Sequence, residues 1–396
     1  MYIEREIKEK FEKIAKAYSV VAIVGARQSG KTTFLKEHSK SINSSYLLFD
    51  DPDIRFLFEE DIKKFEKQYL ESFNVYILDE VQYCKGAGRN LKYLADNGKK
   101  MWITSSSELI LSKEVLSYLV GRVSILKLYP LSIQEFLNAK GQKELTKQIL
   151  ERNIWEHITF GGYPKVVLSA DIELKKTILR DLYQTMVLKD IANTFSIEDI
   201  NSLEEFTKYL SINIGNLISY EEVSNSLKIS FQTAKKYLNA MEKSYLIVRV
   251  PPFYKNKTKE ITKQPKIYFI DTGLRNLIAK SFNSEPDGKT FENYVASEII
   301  KAGFELKHWR TKSKAEVDFI IEKEGELIPV EVKLNSPHKI ERSLRAFIEA
   351  YKPKRAFIIY YKGENKTLQA DNCKVFFTDI LNFKKSISKK RCATTA

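Results

Sequence analysis

The chain has 396 residues, enough for two or three domains that each bury a core. Hydrophobic residues make up 43% and charged residues 29%, the balance of an ordinary globular protein. No apolar run reaches the roughly 18 residues that cross a bilayer, and the N-terminus lacks the apolar core of a signal peptide. We therefore expect a cytoplasmic protein with no membrane partner.

The net charge and the cysteine positions limit which partners and metal sites we expect. The formal net charge is +14, from 65 Lys and Arg against 51 Asp and Glu. This excess favours polyanions, nucleic acid first, although general lysine richness explains it equally well. Cys84, Cys373 and Cys392 stand alone, and the four histidines form no ligand pattern, so we expect no structural zinc site.

A phosphate-binding loop follows the first predicted strand. After an expected helix within residues 1–18, the apolar run 19–24 reads as a strand, and a helix is predicted from Lys31 to about Ser39. Backbone N–H groups between them can converge on one polyphosphate at the positive end of the helix dipole. The residues predicted to bind it are Gly25, Ala26, Arg27, Gln28, Ser29, Gly30, Lys31, Thr32 and Thr33.

Individual positions in this loop have distinct roles. Gly25 and Gly30 allow backbone conformations and close approaches that a Cβ would block. Lys31 can reach the β- and γ-phosphates, and the Thr32 hydroxyl can ligate Mg²⁺. At an effective dielectric near 20, an ammonium about 4 Å from a phosphate charge gains roughly 4 kcal/mol before desolvation. The loop therefore predicts a site for a nucleoside triphosphate and Mg²⁺.

Two acidic residues end the next strand-like run, 75–78. Carboxylates at the carboxyl end of a strand in an open parallel sheet face the crevice that holds the phosphate loop. Asp79 is placed to hold Mg²⁺, and Glu80 to orient or deprotonate the attacking water. Acidic residues also end strands in ordinary turns, but the loop some 50 residues upstream favours the catalytic interpretation.

A third strand is predicted at 100–103, followed by the hydroxyl-rich stretch 104–107. These hydroxyls could sense the γ-phosphate or the attacking water. Arg122, after Gly121, is a candidate arginine finger or sensor acting in cis or in trans, and a solvated surface arginine is the equal alternative. A role in trans would make a second copy of the chain a partner.

Residues 130–195 are mainly helical in pattern, interrupted by a turn at 161–164, which is typical of a helical lid. Leu203, Phe206 and Leu210 fit one amphipathic helix, and Ser219 is expected to cap a second, with Glu222 as its capping-box partner. A turn at 228–230, a helix over 231–244 and a strand over 245–250 then follow. This order predicts a winged helix-turn-helix.

The predicted winged helix would contact DNA through two segments. The recognition helix carries Gln232, Thr233, Lys235 and Lys236. The wing tip, 255–263, carries four lysines, and four phosphate contacts would give a salt slope near −3.6 in log K against log[salt]. A module that only packs against other proteins is the alternative.

A third group of charged residues lies between 288 and 333. Thr290 is expected to cap a helix that carries Glu292 in its first turn and ends at Gly303. If Glu324-Gly325 is a two-residue hairpin loop, Asp318 lies opposite Glu331, and Lys333 shares their face. Two or three carboxylates with an ammonium could bind Mg²⁺ for phosphodiester hydrolysis. A cross-strand charge cluster, with Glu292 at a helix dipole, is the alternative.

The order of these motifs resembles a large prokaryotic family of AAA+ ATPases whose uncharacterised C-terminal domain looks like PD-(D/E)XK nucleases. The resemblance extends over most of the chain, and its specific motifs are 25–32, 78–82, 103–107, 120–122, 128–136, 161–164, 266–274, 291–293, 316–319 and 331–333. One departure is Ser105, which stands where the family usually has glycine and leaves the geometry of a sensor hydroxyl open.

The fold implied is α/β. It comprises an AAA+-like P-loop domain with a parallel sheet and helical lid over 1–195, and a winged helix-turn-helix over 196–260. A restriction-endonuclease-like domain over 261–383 and a basic, disordered tail over 384–396 follow.

The resemblance implies ATP hydrolysis by Lys31, Thr32, Asp79 and Glu80, with ATP and Mg²⁺ as cofactors. It also implies a nuclease-like site of Glu292, Asp318, Glu331 and Lys333 that could take a second Mg²⁺ or Mn²⁺. We expect an ATP-driven switch or motor that binds DNA. The alternatives are an ATP-gated nuclease and a nucleotide-dependent, non-enzymatic scaffold whose degenerate nuclease-like domain binds a partner.

Overall fold

A computed structural model describes residues 2–106, 115–142, 144–186, 191–283 and 285–388. Within these ranges every helix is too short or too polar to span a bilayer. Ser107 of the predicted sensor segment and residues 389–396 of the predicted tail lie outside them.

The first part of the chain forms a parallel sheet flanked by helices. Its elements are α1 Lys8–Ala17, β1 Val20–Val24, α2 Lys31–Ser39, β2 Ser44–Leu48, α3 Pro52–Glu60, α4 Ile62–Tyr69, β3 Val75–Asp79, α5 Ala87–Asp96, β4 Met101–Ser105 and β5 Val123–Lys127. The strand order is β2-β3-β4-β1-β5, and every neighbouring pair is parallel. The predicted parallel sheet is confirmed, and its three central strands, β3, β4 and β1, are buried from both faces.

The middle of the chain is helical and ends in a pair of strands. Its elements are α6 Ile133–Ala139, α7 Lys147–Phe160, α8 Pro164–Leu168, α9 Ile172–Gln184, α10 Ala192–Thr194, α11 Ile200–Ile212, α12 Tyr220–Leu227, α13 Phe231–Lys243, β6 Ile247–Val250, α14 Lys257–Thr262, β7 Lys266–Phe269 and α15 Thr272–Ile278. Ser219 and Ser230 cap α12 and α13 through their side chains. One apolar core runs from the first sheet through these helices to α15.

The structure of the expected wing differs from a hairpin. The segment 255–263 is not a hairpin tip, because Asn256 caps the short helix α14 there; its lysines are exposed, and Glu260 is buried beside Lys257 and Lys307. The predicted domain boundary at 260/261 falls between β6 and β7, which pair antiparallel with each other.

The C-terminal part contains a mixed sheet between helices. Its elements are α16 Gly288–Lys301, β8 Leu306–Arg310, β9 Glu316–Lys323, β10 Glu326–Asn335, α17 Arg342–Tyr351, β11 Arg355–Lys362, β12 Lys366–Ala370, β13 Cys373–Thr378 and α18 Ile380–Ser388. The strand order is β12-β13-β11-β10-β9-β8, with β10, β11 and β13 parallel to one another. The predicted hairpin register is confirmed, since Lys323 pairs with Glu326.

Two further expectations fail here. Thr290 does not cap α16, because the Asp287 side chain accepts the hydrogen bond from the Thr290 N–H and the helix starts at Gly288. Disorder does not begin at Lys384, because α18 continues to Ser388 and buries the Lys384 side chain.

A buried ionic network joins this C-terminal part to the rest of the molecule. The carboxylate of Glu298, fully buried on α16, lies 3.1 Å from the ammonium groups of both Lys301 and Lys384. It also accepts a 2.9 Å hydrogen bond from the Ile133 N–H at the start of α6. Burial raises the pKa of Glu298, but Lys384 and Lys301 outweigh it and lower the pKa to about 2.

We expect Glu298→Gln to destabilise the protein by about 3–5 kcal/mol, because it leaves the Lys301 ammonium without a counter-charge and removes one of the two carboxylates beside the buried Lys384. Ionised Glu298 stabilises the fold above its unfolded pKa of about 4.3, and that contribution is lost as the pH falls toward 2. Urea unfolding should therefore show a large loss of stability in the variant at pH 7 that shrinks below pH 4. The exposed Glu173→Gln is the control, and equal unfolding midpoints for the two variants would contradict this account.

Candidate functional site

The phosphate-binding loop is shaped by its glycines and by Lys31. A Cβ on Gly25 would lie 2.0 Å from the Leu128 carbonyl oxygen, so only glycine fits there. Gly30 has a φ of +98° at the cap of α2. The buried Lys31 ammonium donates to the carbonyls of Gly25 and Ala26 at 3.0 and 2.9 Å, which holds this cation over the loop.

The Asp79 carboxylate gathers three hydroxyl groups at the carboxyl edge of the sheet. Thr32 donates to its Oδ2 at 2.9 Å, and Tyr46 of β2 donates to the same oxygen at 2.6 Å. Thr104 of β4 donates to Oδ1. The predicted pair of Thr32 and Asp79 therefore meets, and the carboxylate lies where it can hold a cation beside the loop.

Glu80 lies at the same edge and is partly exposed. Its φ is +61°, a conformation uncommon outside glycine, and its N–H donates to the Thr104 hydroxyl at 3.3 Å. Strand β4 lies between β1 and β3, so Thr104 stands between the loop and the acidic pair. The sequence predicted this strand but did not show that it lies between the other two.

Arg122 lies at the other end of the sheet. It directly precedes β5, and its carbonyl accepts from the Val20 N–H at the start of β1. The five-residue strand β5 separates it from the carboxyl edge by roughly 17 Å. Its guanidinium pairs with Asp96 at 2.6 Å, and both side chains are exposed. This separation favours a role on a neighbouring molecule over a role in cis, and both stay predictions.

Arg5 supports the phosphate loop from the N-terminal segment, and the sequence analysis missed it. Its guanidinium donates to the carbonyls of Ser29 and Tyr129 at 2.8 and 2.6 Å and lies 3.0 Å from the Glu135 carboxylate. Arg5 and Glu135 are both buried. Because these partners are more than 20 residues away, no local pattern could have revealed them.

The predicted carboxylate pair of the C-terminal sheet is brought together. Asp318 on β9 accepts a 2.8 Å hydrogen bond from the Val332 N–H, and Glu331 on β10 lies beside it. Burial, and then the Glu292 carboxylate, raise the pKa of Asp318 to about 6. Burial and Asp318 raise the pKa of Glu331 well above its usual value. Lys333 lies 3.7 Å from Glu331 and 2.9 Å from Glu341.

Glu292 on α16 contacts two side chains of β7. Its Oε1 accepts from the Tyr268 hydroxyl at 2.5 Å and lies 3.2 Å from the Lys266 ammonium. Its Oε2 lies 3.0 Å from Lys289. Among the described residues, no group of three His, Cys, Asp or Glu side chains has the arrangement that holds a metal ion. The predicted three-carboxylate metal set is therefore not shown.

Neighbouring residues of α16 fix β7 as well. The Asn293 side chain accepts from the Phe269 N–H and donates to the Phe269 carbonyl, both at 2.8 Å. Ser297 donates to the Ile270 carbonyl at 2.5 Å. The motifs at 266–274 and 291–293 thus form a joint between the middle and C-terminal parts of the chain.

Three family models match successive segments of the chain. Residues 17–137 match the model of an AAA domain, residues 151–285 a domain of unknown function (DUF8612), and residues 287–380 another (DUF4143). The uncharacterized protein MJ1544 of Methanocaldococcus jannaschii is 32% identical over 355 residues, which cover 84% of this chain and 79% of that protein. This chain belongs to the MJ1544 family.

Other relatives share most of the chain's length. An uncharacterized protein of Haemophilus influenzae is 28% identical over 337 residues. The alignment covers 80% of this chain and 83% of that protein. Among solved structures, the Walker-type ATPase PABY2304 of Pyrococcus abyssi aligns with a TM-score of 0.48 and 13% identity over 70% of this chain and 96% of that one. The AAA domain match and the five-stranded parallel sheet identify a P-loop nucleotide-binding domain.

We expect Arg5→Met to weaken ATP binding at least tenfold, about 1.4 kcal/mol, because the phosphate loop loses its support at Ser29. Isothermal titration measures this directly. The exposed Arg89→Met is the control. Arg5→Met leaves the buried Glu135 carboxylate without its arginine, and adding Glu135→Gln removes that charge. In the double variant the affinity for ATP should stay low even if the stability of the protein recovers. Wild-type affinity in the double variant would contradict a role at the nucleotide site.

Proposed function

We propose that this protein is a Mg²⁺-dependent ATPase whose nucleotide state acts on a DNA-binding winged helix and a nuclease-like domain. The observation that carries the ATPase proposal is the cluster of Thr32, Asp79 and Thr104 beside Glu80. It supplies a cation-holding carboxylate, a hydroxyl ligand on the loop helix and a second carboxylate within one crevice.

Each residue of this site has a task in phosphoryl transfer. Lys31 binds the β- and γ-phosphates, and the loop N–H groups orient the triphosphate. Thr32 and Asp79 would hold Mg²⁺, which offsets charge that develops on the phosphates when it is bound. Glu80 orients and deprotonates the attacking water, and Thr104 fixes the backbone of Glu80 through its hydroxyl.

We expect Glu80→Gln to lower kcat by roughly 10²- to 10⁴-fold while ATP still binds, because only the general base is lost. Lys31→Ala should lose ATP binding itself. Phosphate release and ATP titration distinguish the two effects, and the exposed Lys40→Ala is the control. Phosphate release that persists at the wild-type rate in both variants would refute the proposal.

We propose that Arg122 acts on the nucleotide of a neighbouring copy, because the length of β5 separates it from the carboxyl edge of its own sheet, and a mixing test examines this. Arg122→Ala alone should be inactive, and mixing it with Lys31→Ala should restore activity, because each copy supplies what the other lacks. Full activity of Arg122→Ala alone would assign this arginine to its Asp96 ion pair.

The DNA-binding proposal is supported by element order and by charge. Three helices, α11 to α13, are followed by the antiparallel strands β6 and β7, and Leu217 adds a bridge to Lys266, as in a winged helix. Gln232, Lys235 and Lys236 are exposed on α13, although Lys236 also donates to the Ser196 carbonyl.

The wing contributes fewer cations than the sequence suggested. Lys257 pairs with Glu260, and Lys255 lies over the Tyr351 ring. Lys259 and Lys263 are exposed and make no ion pair among the described residues. Three phosphate contacts, from Lys235, Lys259 and Lys263, replace the four expected from the wing alone.

We expect the log of the DNA association constant to fall with log[salt] with a slope near −2.7 from these three lysines. Lys235→Ala with Lys263→Ala should reduce the slope by about 1.8, because each contact contributes about 0.9. Fluorescence anisotropy over 50–300 mM salt measures it, with the remote, exposed Lys67→Ala as control. Identical slopes in the wild type and the double variant would assign this module to protein contacts.

The C-terminal domain is proposed to be nuclease-like on two grounds. Helix α16, strands β8 to β10, helix α17 and strand β11 follow one another in the order of a restriction-endonuclease-like core. Asp318, Glu331 and Lys333 also meet on the β9–β10 hairpin.

Metal-dependent DNA cleavage is the second candidate function. A scaffold that binds a partner is its alternative, and the metal titration below separates them.

A further inference from the structure

A buried lysine from the middle of the chain enters the carboxylate cluster of the C-terminal domain. Lys266 is the first residue of β7 and is 1% exposed. Its ammonium lies 3.2 Å from Glu292 Oε1 and 2.5 Å from Glu316 Oε1. These two acids come from α16 and β9, so the lysine bridges both elements that carry the predicted nuclease-like residues.

The strand carboxylates belong to the same charged region. Asp318 and Glu292 are close enough to interact electrostatically with Lys266 and with each other. Glu331 is 3% exposed, and its Oε1 has no hydrogen-bond partner among the described residues. The cluster therefore contains a buried carboxylate oxygen that the protein leaves unpaired.

The position of Lys266 is fixed by the strand that carries it. Lys266 pairs with Val250 of β6, and two residues further along β7 the Tyr268 hydroxyl binds the same Glu292 oxygen. The next residue, Phe269, is held at both backbone groups by Asn293. Withdrawal of the ammonium would require β7 to move relative to α16.

An ammonium and a divalent cation compete for the same oxygens. Oε1 of Glu292 already accepts from Lys266 and Tyr268, so few lone pairs remain for a metal ion. A divalent ion between Glu292 and Asp318 would also lie close to the lysine charge, which repels it in a poorly solvated site.

We propose that Lys266 is the resident cation of the carboxylate cluster and that its ammonium excludes a divalent metal ion while β7 holds its present place. This inference rests on the proposed nuclease-like function, because it concerns the cluster assigned to that function. On this proposal the carboxylate cluster is closed to metal ions in the present conformation. The cluster would open only when β7, a strand of the proposed winged helix, moves.

The test is a titration of nucleotide-free, full-length protein with Mn²⁺, followed by the electron paramagnetic resonance signal of the free ion. Below about 1 mM Mn²⁺, the wild type should show no binding that depends on Asp318. Lys266→Met should bind one Mn²⁺ at least tenfold more tightly, and Lys266→Met with Asp318→Asn should lose that ion. Lys289→Met is the matched control, because Lys289 contacts the other oxygen of Glu292 from an exposed position and should leave binding unchanged.

Each contrary result has a separate meaning. Wild-type Mn²⁺ binding as tight as that of Lys266→Met, and lost in Asp318→Asn, would overturn exclusion by Lys266 while leaving the metal site in place. Absence of binding in every variant would overturn both the exclusion and the proposed metal site. Circular dichroism checks folding, and Lys266→Gln, which keeps a hydrogen-bond donor but not the charge, serves if Lys266→Met does not fold.

Discussion

The nucleotide site depends on one buried carboxylate, that of Asp79. It receives hydrogen bonds from Thr32 on the loop helix, Tyr46 on β2 and Thr104 on β4. A buried carboxylate is stable only when such donors compensate for the lost water. The same three bonds fix the loop helix against two neighbouring strands, so the acidic edge and the phosphate loop are positioned as one unit.

The three parts of the chain are joined by buried polar contacts as well as by apolar packing. Arg5 and Glu135 connect the phosphate loop to α6, and Glu298 connects the first residue of α6 to α18. Lys266 and Asn293 connect β7 to α16. Each of these contacts holds residues from two parts of the chain together, which suits a protein whose nucleotide state is proposed to act on distant domains.

Local patterns in the sequence predicted the parts of the site that are local in structure. Spacing in the sequence was enough to predict three features, because strand and turn geometry fixes which residues lie next to one another. These are the loop at 25–32, the acidic pair at 79–80 and the hairpin register around Gly325. Arg5 and Lys266 could not be found this way, since each acts on residues far along the chain. The helix at 257–262 could not be found this way either, because Glu260 is held there by Lys307 from another strand.

The central claim is that Asp79 and Thr32 form a metal-nucleotide site, and calorimetric titration with ATP in the presence and absence of Mg²⁺ tests it most directly. The account predicts that Mg²⁺ tightens ATP binding to the wild type at least tenfold and leaves binding to Asp79→Asn unchanged. Equal ATP affinity with and without Mg²⁺ in the wild type, or wild-type Mg²⁺ dependence in Asp79→Asn, would contradict it.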